Sequence, residues 1–248
     1  MKNVFLVLLL VCVSTLGACA SKQPRAEDPG TEYLDETASS QDSLESFNRA
    51  MFSFNLTLDK WILKPVAKTY DWVTPNFAQR GIRNFFGNLG EINNIVNDIL
   101  QWKWKQAGND TGRFITNTTL GIGGLFDVAE KIGLPDGDGE DFGQTFAKWG
   151  MGQGTYLVLP LLGPTTIRDG IAIPFDSALD PVNYINDDPW LYGLTALEII
   201  DLRAQLLEVE DLASGDLYVF VRDAYLQRRD YLINDGEVAE DTFGDEDW

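Results

Sequence analysis

The chain has 248 residues, 19 of them basic and 38 acidic, for a net charge of −19, with no histidine and two cysteines. Without histidine there is no Ser-His-Asp triad, no His-bound zinc and no imidazole base. Both cysteines, Cys12 and Cys19, fall in the first twenty residues, so neither a disulfide framework nor thiol catalysis is expected in the rest of the chain. The acidic excess argues against nucleic acid, whose phosphates demand clustered Lys and Arg. Catalysis would rest on Asp, Glu, Lys, Tyr or Ser alone, so an enzyme, a metal site and a bound cofactor are all disfavoured from the start.

Residues 1–18 read as a signal peptide, with Lys2, an apolar run from Val4 to Val13 and a small-residue exit. The run is too short for a bilayer span, which takes ~20 apolar residues. It closes in Leu16-Gly17-Ala18-Cys19, which resembles the lipobox of bacterial lipoproteins. That resemblance implies cleavage before Cys19 and a lipidated cysteine with three acyl chains. Each buried CH₂ would contribute ~0.8 kcal/mol to anchoring. The next residue is Ala20, not the aspartate that usually retains such proteins at the inner membrane, so the resemblance implies the periplasmic side of the outer membrane. Residues 19–41 are polar and broken by Pro24, Pro29 and Gly30, the composition of a flexible tether.

From Asp42 the pattern turns helical. Asp42 is placed to cap a helix to Lys64, with Glu45 three residues on. Leu44, Phe47, Met51, Phe54, Leu58 and Trp61 follow at steps of three and four, forming one apolar stripe. A short helix from Val66 to Val73 follows Pro65, then two helices over Phe77–Phe86 and Leu89–Trp104. The second ends in Trp102-Lys103-Trp104-Lys105, a pattern that suits either a membrane interface, with rings at headgroup depth and ammoniums reaching phosphates, or a plain helix end with surface lysines. Gln106–Thr119 and Leu125–Ile132 read as helices, separated by Gly121-Ile122-Gly123-Gly124 and stopped by Gly133 and Pro135. Residues 136–141 are an acidic turn that lacks the calcium-loop glycine at position six and glutamate at position twelve, where Asp141 and Ala147 stand. Tyr156–Leu162 is apolar throughout, and Pro160 argues against a central strand or regular helix there. Gly163–Thr166 is expected to restart a helix to Ile173, and Pro174–Asp188 reads as a loop. Asp188 and Pro189 open a long helix to about Leu212, and Asp216 caps a last one over Leu217–Ile233. Residues 235–248 hold seven acids and no base and read as a disordered tail. The expected fold is mainly α, one domain over residues 42–234, with no internal repeat and no spanning helix.

Several stretches together resemble the MlaA (VacJ) family of Gram-negative outer-membrane lipoproteins. They include Glu45-Ser46-Phe47-Asn48-Arg49-Ala50-Met51, Asn84-Phe85-Phe86-Gly87-Asn88-Leu89, Arg113-Phe114-Ile115-Thr116-Asn117-Thr118, Asp141-Phe142-Gly143-Gln144-Thr145, and Val221-Arg222-Asp223-Ala224-Tyr225. The matches run collinearly over roughly residues 42–236. The resemblance implies a ring-like helical domain lying in the inner leaflet of the outer membrane with a channel through it. It implies that phospholipids astray in the outer leaflet are removed and passed to a soluble periplasmic lipid carrier, and that trimeric porins are partners. The other reading is a scaffold that organises porins or envelope partners without transporting lipid. Residues expected to face a channel or contact lipid are Asn48 and Asn55, as amides on an apolar helix, and Gly150, Gly152 and Gly154. Expected interfacial anchors are Trp102, Lys103, Trp104 and Lys105. Packing hydrogen bonds are the competing role for the two asparagines.

Overall fold

The computed structural model describes residues 42–207 and 215–237. The signal peptide, Cys19, the tether, the end of the helix expected to reach Leu212 and the tail beyond residue 237 lie outside them.

Helix α1 (Glu45–Leu58) follows the apolar stripe. Its first turn carries no side-chain cap, because Asp42 is buried and bonded elsewhere. A five-residue π turn, Asp59–Leu63, leads into α2 (Lys64–Val73). The wider turn sits where Pro65 lacks an N–H for the regular ladder. Arg203 braces it with two bonds to Asp59, Nε–Oδ1 at 2.6 Å and Nη2–Oδ2 at 2.9 Å.

The two helices expected between residues 77 and 104 are one, α3 (Asn76–Leu100). Gly87 and Gly90 weaken a helix but do not stop one when tertiary contacts hold both sides. Trp102, at φ +65°, turns the chain into α4 (Trp104–Thr119). The pairs Asn88–Thr118 and Glu91–Arg113 set α3 and α4 antiparallel. The stretch over 125–132 forms only a 3₁₀ turn, Glu130–Ile132.

Asp141 caps α5 (Phe142–Lys148), its Oδ1 accepting from the Gln144 N–H at 2.8 Å. The apolar run then forms a hairpin, β1 (Tyr156–Leu159) against β2 (Gly163–Thr166), in antiparallel register with Tyr156 opposite Thr166. This corrects both the irregular segment and the helix restart read from the sequence. Pro160 lies in the turn, where its missing N–H costs the ladder nothing. Thr166 caps α6 (Ile167–Leu179), which carries on through Pro174. Ala172 and Asp176 are packed on either side of that proline: Ala172 is 1% exposed, and Asp176 accepts from Asn93 and from the Phe142 N–H. A 3₁₀ turn (Pro181–Tyr184), α7 (Asp188–Gln205) and α8 (Leu217–Ile233) complete the described elements.

Neighbour contacts close on themselves. The α1–α2 arm packs on α7, α7 on α3, α3 on α6, α6 on β2, β2 on β1, and β1 back on α1. The domain is mainly α and ring-like, with α4 outside α3, and α5 and α8 against the hairpin side. No helix among the described residues is long and apolar enough to cross a membrane.

Candidate functional site

The side chains are distributed against the usual rule. Among the described residues, 12 buried hydrophobic positions stand against 20 buried polar or charged ones, while 35 large hydrophobics are exposed. Five of the 12 buried hydrophobics are alanines: Ala67, Ala107, Ala129, Ala172 and Ala204. Each of the six described tryptophans is at least 59% exposed. Soluble domains seldom show large contiguous apolar patches to water.

The interior is held by polar networks. Arg113, 4% exposed, donates to Glu91 at 2.8 Å, to Asp127 at 3.1 Å and to the Leu134 carbonyl at 2.9 Å, with Asp136 at 3.1 Å as a third carboxylate. Burial pushes the Glu91 carboxyl up, against the pull of Arg113. Arg229 of α8 binds Asp141 at 2.5 Å and Asp169 at 3.1 Å, and the Tyr225 hydroxyl donates to Asp169 at 2.8 Å. Burial would raise Asp169, but Arg229, Tyr225 and Arg168 together hold it below the usual carboxylate range. Arg229, and Arg222 through the buried Asp42, are therefore turned to interior carboxylates, while Arg228 on the same helix is exposed. Asp98 is different: it has no exposed surface and neither oxygen meets a donor among the described residues. Burial, and then the facing carboxyl of Asp110, push its pKa up to about 8.

Asn48 is packed inside the domain. It has no exposed surface, and its amide clamps β1: Nδ2 donates to the Tyr156 carbonyl at 3.0 Å and to Asp42 at 2.8 Å, while Oδ1 accepts from the Val158 N–H at 2.9 Å. Two turns on, the Asn55 amide repeats the clamp, donating to the Leu159 carbonyl at 2.9 Å and accepting from the Leu161 N–H at 2.8 Å. Both amides fasten the hairpin to α1, the packing role that competed with a channel-facing one. Gly150, Gly152 and Gly154 form an exposed turn between α5 and β1. Gly154 sits at φ +72°, and a Cβ there would lie 2.9 Å from the Ile167 Cβ, so the turn depends on glycine.

Trp102 and Trp104 are exposed and meet edge to face at 5.6 Å, and Lys105 is exposed beside them. Lys103 turns inward. Its side chain is 14% exposed, donates to Glu140 at 2.7 Å and also bonds Asp235. Lys148 holds Asp235 from the other side at 3.1 Å, so the first residue assigned to the tail belongs to the folded domain. Glu140, at 7% exposure, likewise turns inward from what read as a solvated acidic turn.

Two cavities flank α3. One, of about 380 Å³, lies between α3, α6 and α7, with Phe86, Leu89, Ile173 and Val182 beside Asp176 and Glu198. The other, of about 360 Å³, lies between α3, α4 and the turn at 136–139. Composition gave no sign of either, since their walls come from segments up to about a hundred residues apart. Among the described residues no group of three or more Asp or Glu is placed to hold a metal ion.

These features define a class: a mainly α domain closed on itself, polar within and apolar without. The profile of the MlaA lipoprotein family matches residues 40–232. The chain is 39% identical over 202 residues to an Escherichia coli (strain K12) protein named intermembrane phospholipid transport system lipoprotein MlaA, spanning 79% of this chain and 80% of that one. It is 30% identical over 247 residues to the Haemophilus influenzae protein of that name, spanning 97% and 94%. A solved structure from work on the structural basis for maintenance of bacterial outer membrane lipid asymmetry superposes with a TM-score of 0.70 at 39% identity, covering 78% of this chain and 99% of that one. The chain belongs to the MlaA lipoprotein family.

Proposed function

We propose that this chain is the lipoprotein of an intermembrane phospholipid transport system, that it removes phospholipids astray in the outer leaflet of the outer membrane, and that it passes them to a soluble periplasmic carrier. The observation that carries this reading is the inverted polarity. A closed domain with 35 exposed large hydrophobics over a polar interior suits a protein lying in one leaflet, its outer wall in acyl chains and its polar groups turned from them. Irregular backbone such as the 150–154 turn is tolerated at that depth where protein covers it or a cavity opens beside it.

In this reading lipidated Cys19 anchors the chain on the periplasmic side. Trp102, Trp104 and Lys105 mark headgroup depth, and the glycines at 150, 152 and 154 flex beside passing lipid. Trimeric porins cover part of the apolar wall. The chain moves lipid without cleaving it: with no histidine or thiol in the domain, a hydrolytic nucleophile would need a Ser-Lys or carboxylate arrangement.

Outer-leaflet phospholipid, measured in cells lacking this chain and in cells carrying it, tests the proposal. Deletion is expected to raise outer-leaflet phospholipid, the intact chain to restore it, and Cys19→Ala to fail to restore it. No rise on deletion would sink transport and leave a scaffold.

A further inference from the structure

The two cavities lie on adjoining faces of α3, and Gly90 borders both. Among the described residues, the groove on the α4 side is lined by glycine, Arg, Asn, Asp and Glu, with no aromatic or aliphatic side chain. A cavity this polar, in a domain whose outside is apolar, calls for a polar occupant.

Three observations narrow the occupant. Arg83, half-buried on the groove face of α3, makes no hydrogen bond or ion pair among the described residues and acts on the Tyr70 hydroxyl only through its charge, although the chain carries twice as many acids as bases. Asn88 is 5% exposed; its Nδ2 donates to Thr118 Oγ1 at 2.9 Å, yet its Oδ1 meets no donor among the described residues. A buried carbonyl left without a donor is costly. Finally, the lining holds four carboxyl groups, Glu91, Asp127, Asp136 and Asp138, against two guanidiniums, and Arg113 is already committed to the first three.

We propose that this groove binds the phosphoethanolamine headgroup of a membrane phospholipid, its phosphate on Arg83 and its ammonium on Asn88 Oδ1 and the carboxylates of the opposite lip. The proposal rests on the transport reading above and names the lipid class that reading leaves open. A phosphate alone, or an anionic headgroup such as phosphoglycerol, brings no cation to a wall with excess carboxyl groups. A choline headgroup brings a cation but no N–H, so the Asn88 carbonyl stays unpaired; it also wants an aromatic cage, and none lines the groove. Primary ammonium and phosphate on one short linker answer both ends. Gly90 leaves no side chain at the edge shared with the neighbouring cavity, so the glycerol portion can pass over α3 toward Phe86 and Leu89.

The glycines give a test that spares the fold. A Cβ at Gly87 or Gly90 meets nothing within 4 Å, and leucine is a better helix former than glycine. Gly87→Leu/Gly90→Leu should therefore fill the groove without disturbing its walls. The full chain, purified in detergent, is offered equal amounts of phosphatidylethanolamine, phosphatidylcholine and phosphatidylglycerol, and retained lipid is read by native mass spectrometry. Soluble glycerophosphoethanolamine is added in a competition arm to separate headgroup capture from acyl-chain capture. The expected result is about tenfold preference for the ethanolamine lipid, a difference of ~1.4 kcal/mol, lost in Arg83→Ala and in the double leucine variant, and competed by the soluble headgroup. Equal retention of all three lipids, or a preference that survives both variants, would overturn the headgroup site and leave the transport reading intact. No retained phospholipid of any kind would overturn both.

Discussion

The hairpin end and the α3–α4 layer are built from different materials. Around the hairpin, Tyr156, Val158 and Tyr218 form a small apolar nucleus with Met51, Phe52 and Tyr225 packed on it, and Asn48 and Asn55 pin strand backbone to α1. Between α3 and α4 the groups in contact are Arg113 with Glu91, Asn88 with Thr118, and Asp98 facing Asp110. The apolar residues of those two helices, such as Ile99, Trp104 and Ile115, point outward. A helix that spends its apolar stripe on an outside surface must join its neighbour through polar groups. Every such group then needs a partner.

Breaking the α3–α4 layer should cost most. Arg113→Met leaves Glu91 buried beside unpaired carboxylates, and a loss of about 3–5 kcal/mol in unfolding free energy is expected from denaturant melts. At the hairpin, Asn48→Leu strands the Tyr156 carbonyl, the Val158 N–H and the Asp42 carboxylate together; about 2–4 kcal/mol should be lost, with the hairpin amides exchanging faster than those of α3. If the two variants cost the same and melt the same region first, the division into two materials fails.

A smaller effect concerns pH. Folded Asp98 keeps its proton to about pH 8, while an aspartate in the unfolded chain releases it near ~3.9. Between those values the folded state binds the extra proton, so stability falls as pH rises through that window. Asp98→Asn removes this titration. The wild type should lose more thermal stability between pH 6 and pH 9 than the variant does, and equal slopes would show that Asp98 does not carry the proton. Smallest of all for the fold, Trp102→Ala with Trp104→Ala removes exposed rings and should move unfolding free energy by no more than about 0.5 kcal/mol. The same pair should weaken binding to phospholipid vesicles severalfold; unchanged vesicle binding would remove them from the membrane interface.

Much of the helical skeleton was legible. The stripe from Leu44 to Trp61 placed α1, and Asp216 with the run that follows placed α8 and its cap. The stripe could not say which way it faced, because spacing of three and four is the same whether a helix covers a core or meets lipid. The gap expected between Phe86 and Leu89 falls at Gly87, whose cost is local, whereas the contacts that carry α3 past it come from α4, α6 and α7. Pro160 hid the hairpin because one residue decides whether it falls in the strand or in the turn. The roles of Asn48 and Lys103 were beyond any local pattern: their partners are Tyr156, 108 residues on, and Glu140 and Asp235, 37 and 132 residues on.

The outward-facing apolar side chains have a thermal consequence. The heat capacity of unfolding comes mainly from apolar surface newly wetted when a chain opens, and newly wetted polar surface lowers it. A domain that already displays Trp61, Trp72, Phe77 and their neighbours, and hides amides and carboxylates, has less of the first to release and more of the second. Its stability curve should be flatter with temperature than that of an ordinary domain of its size.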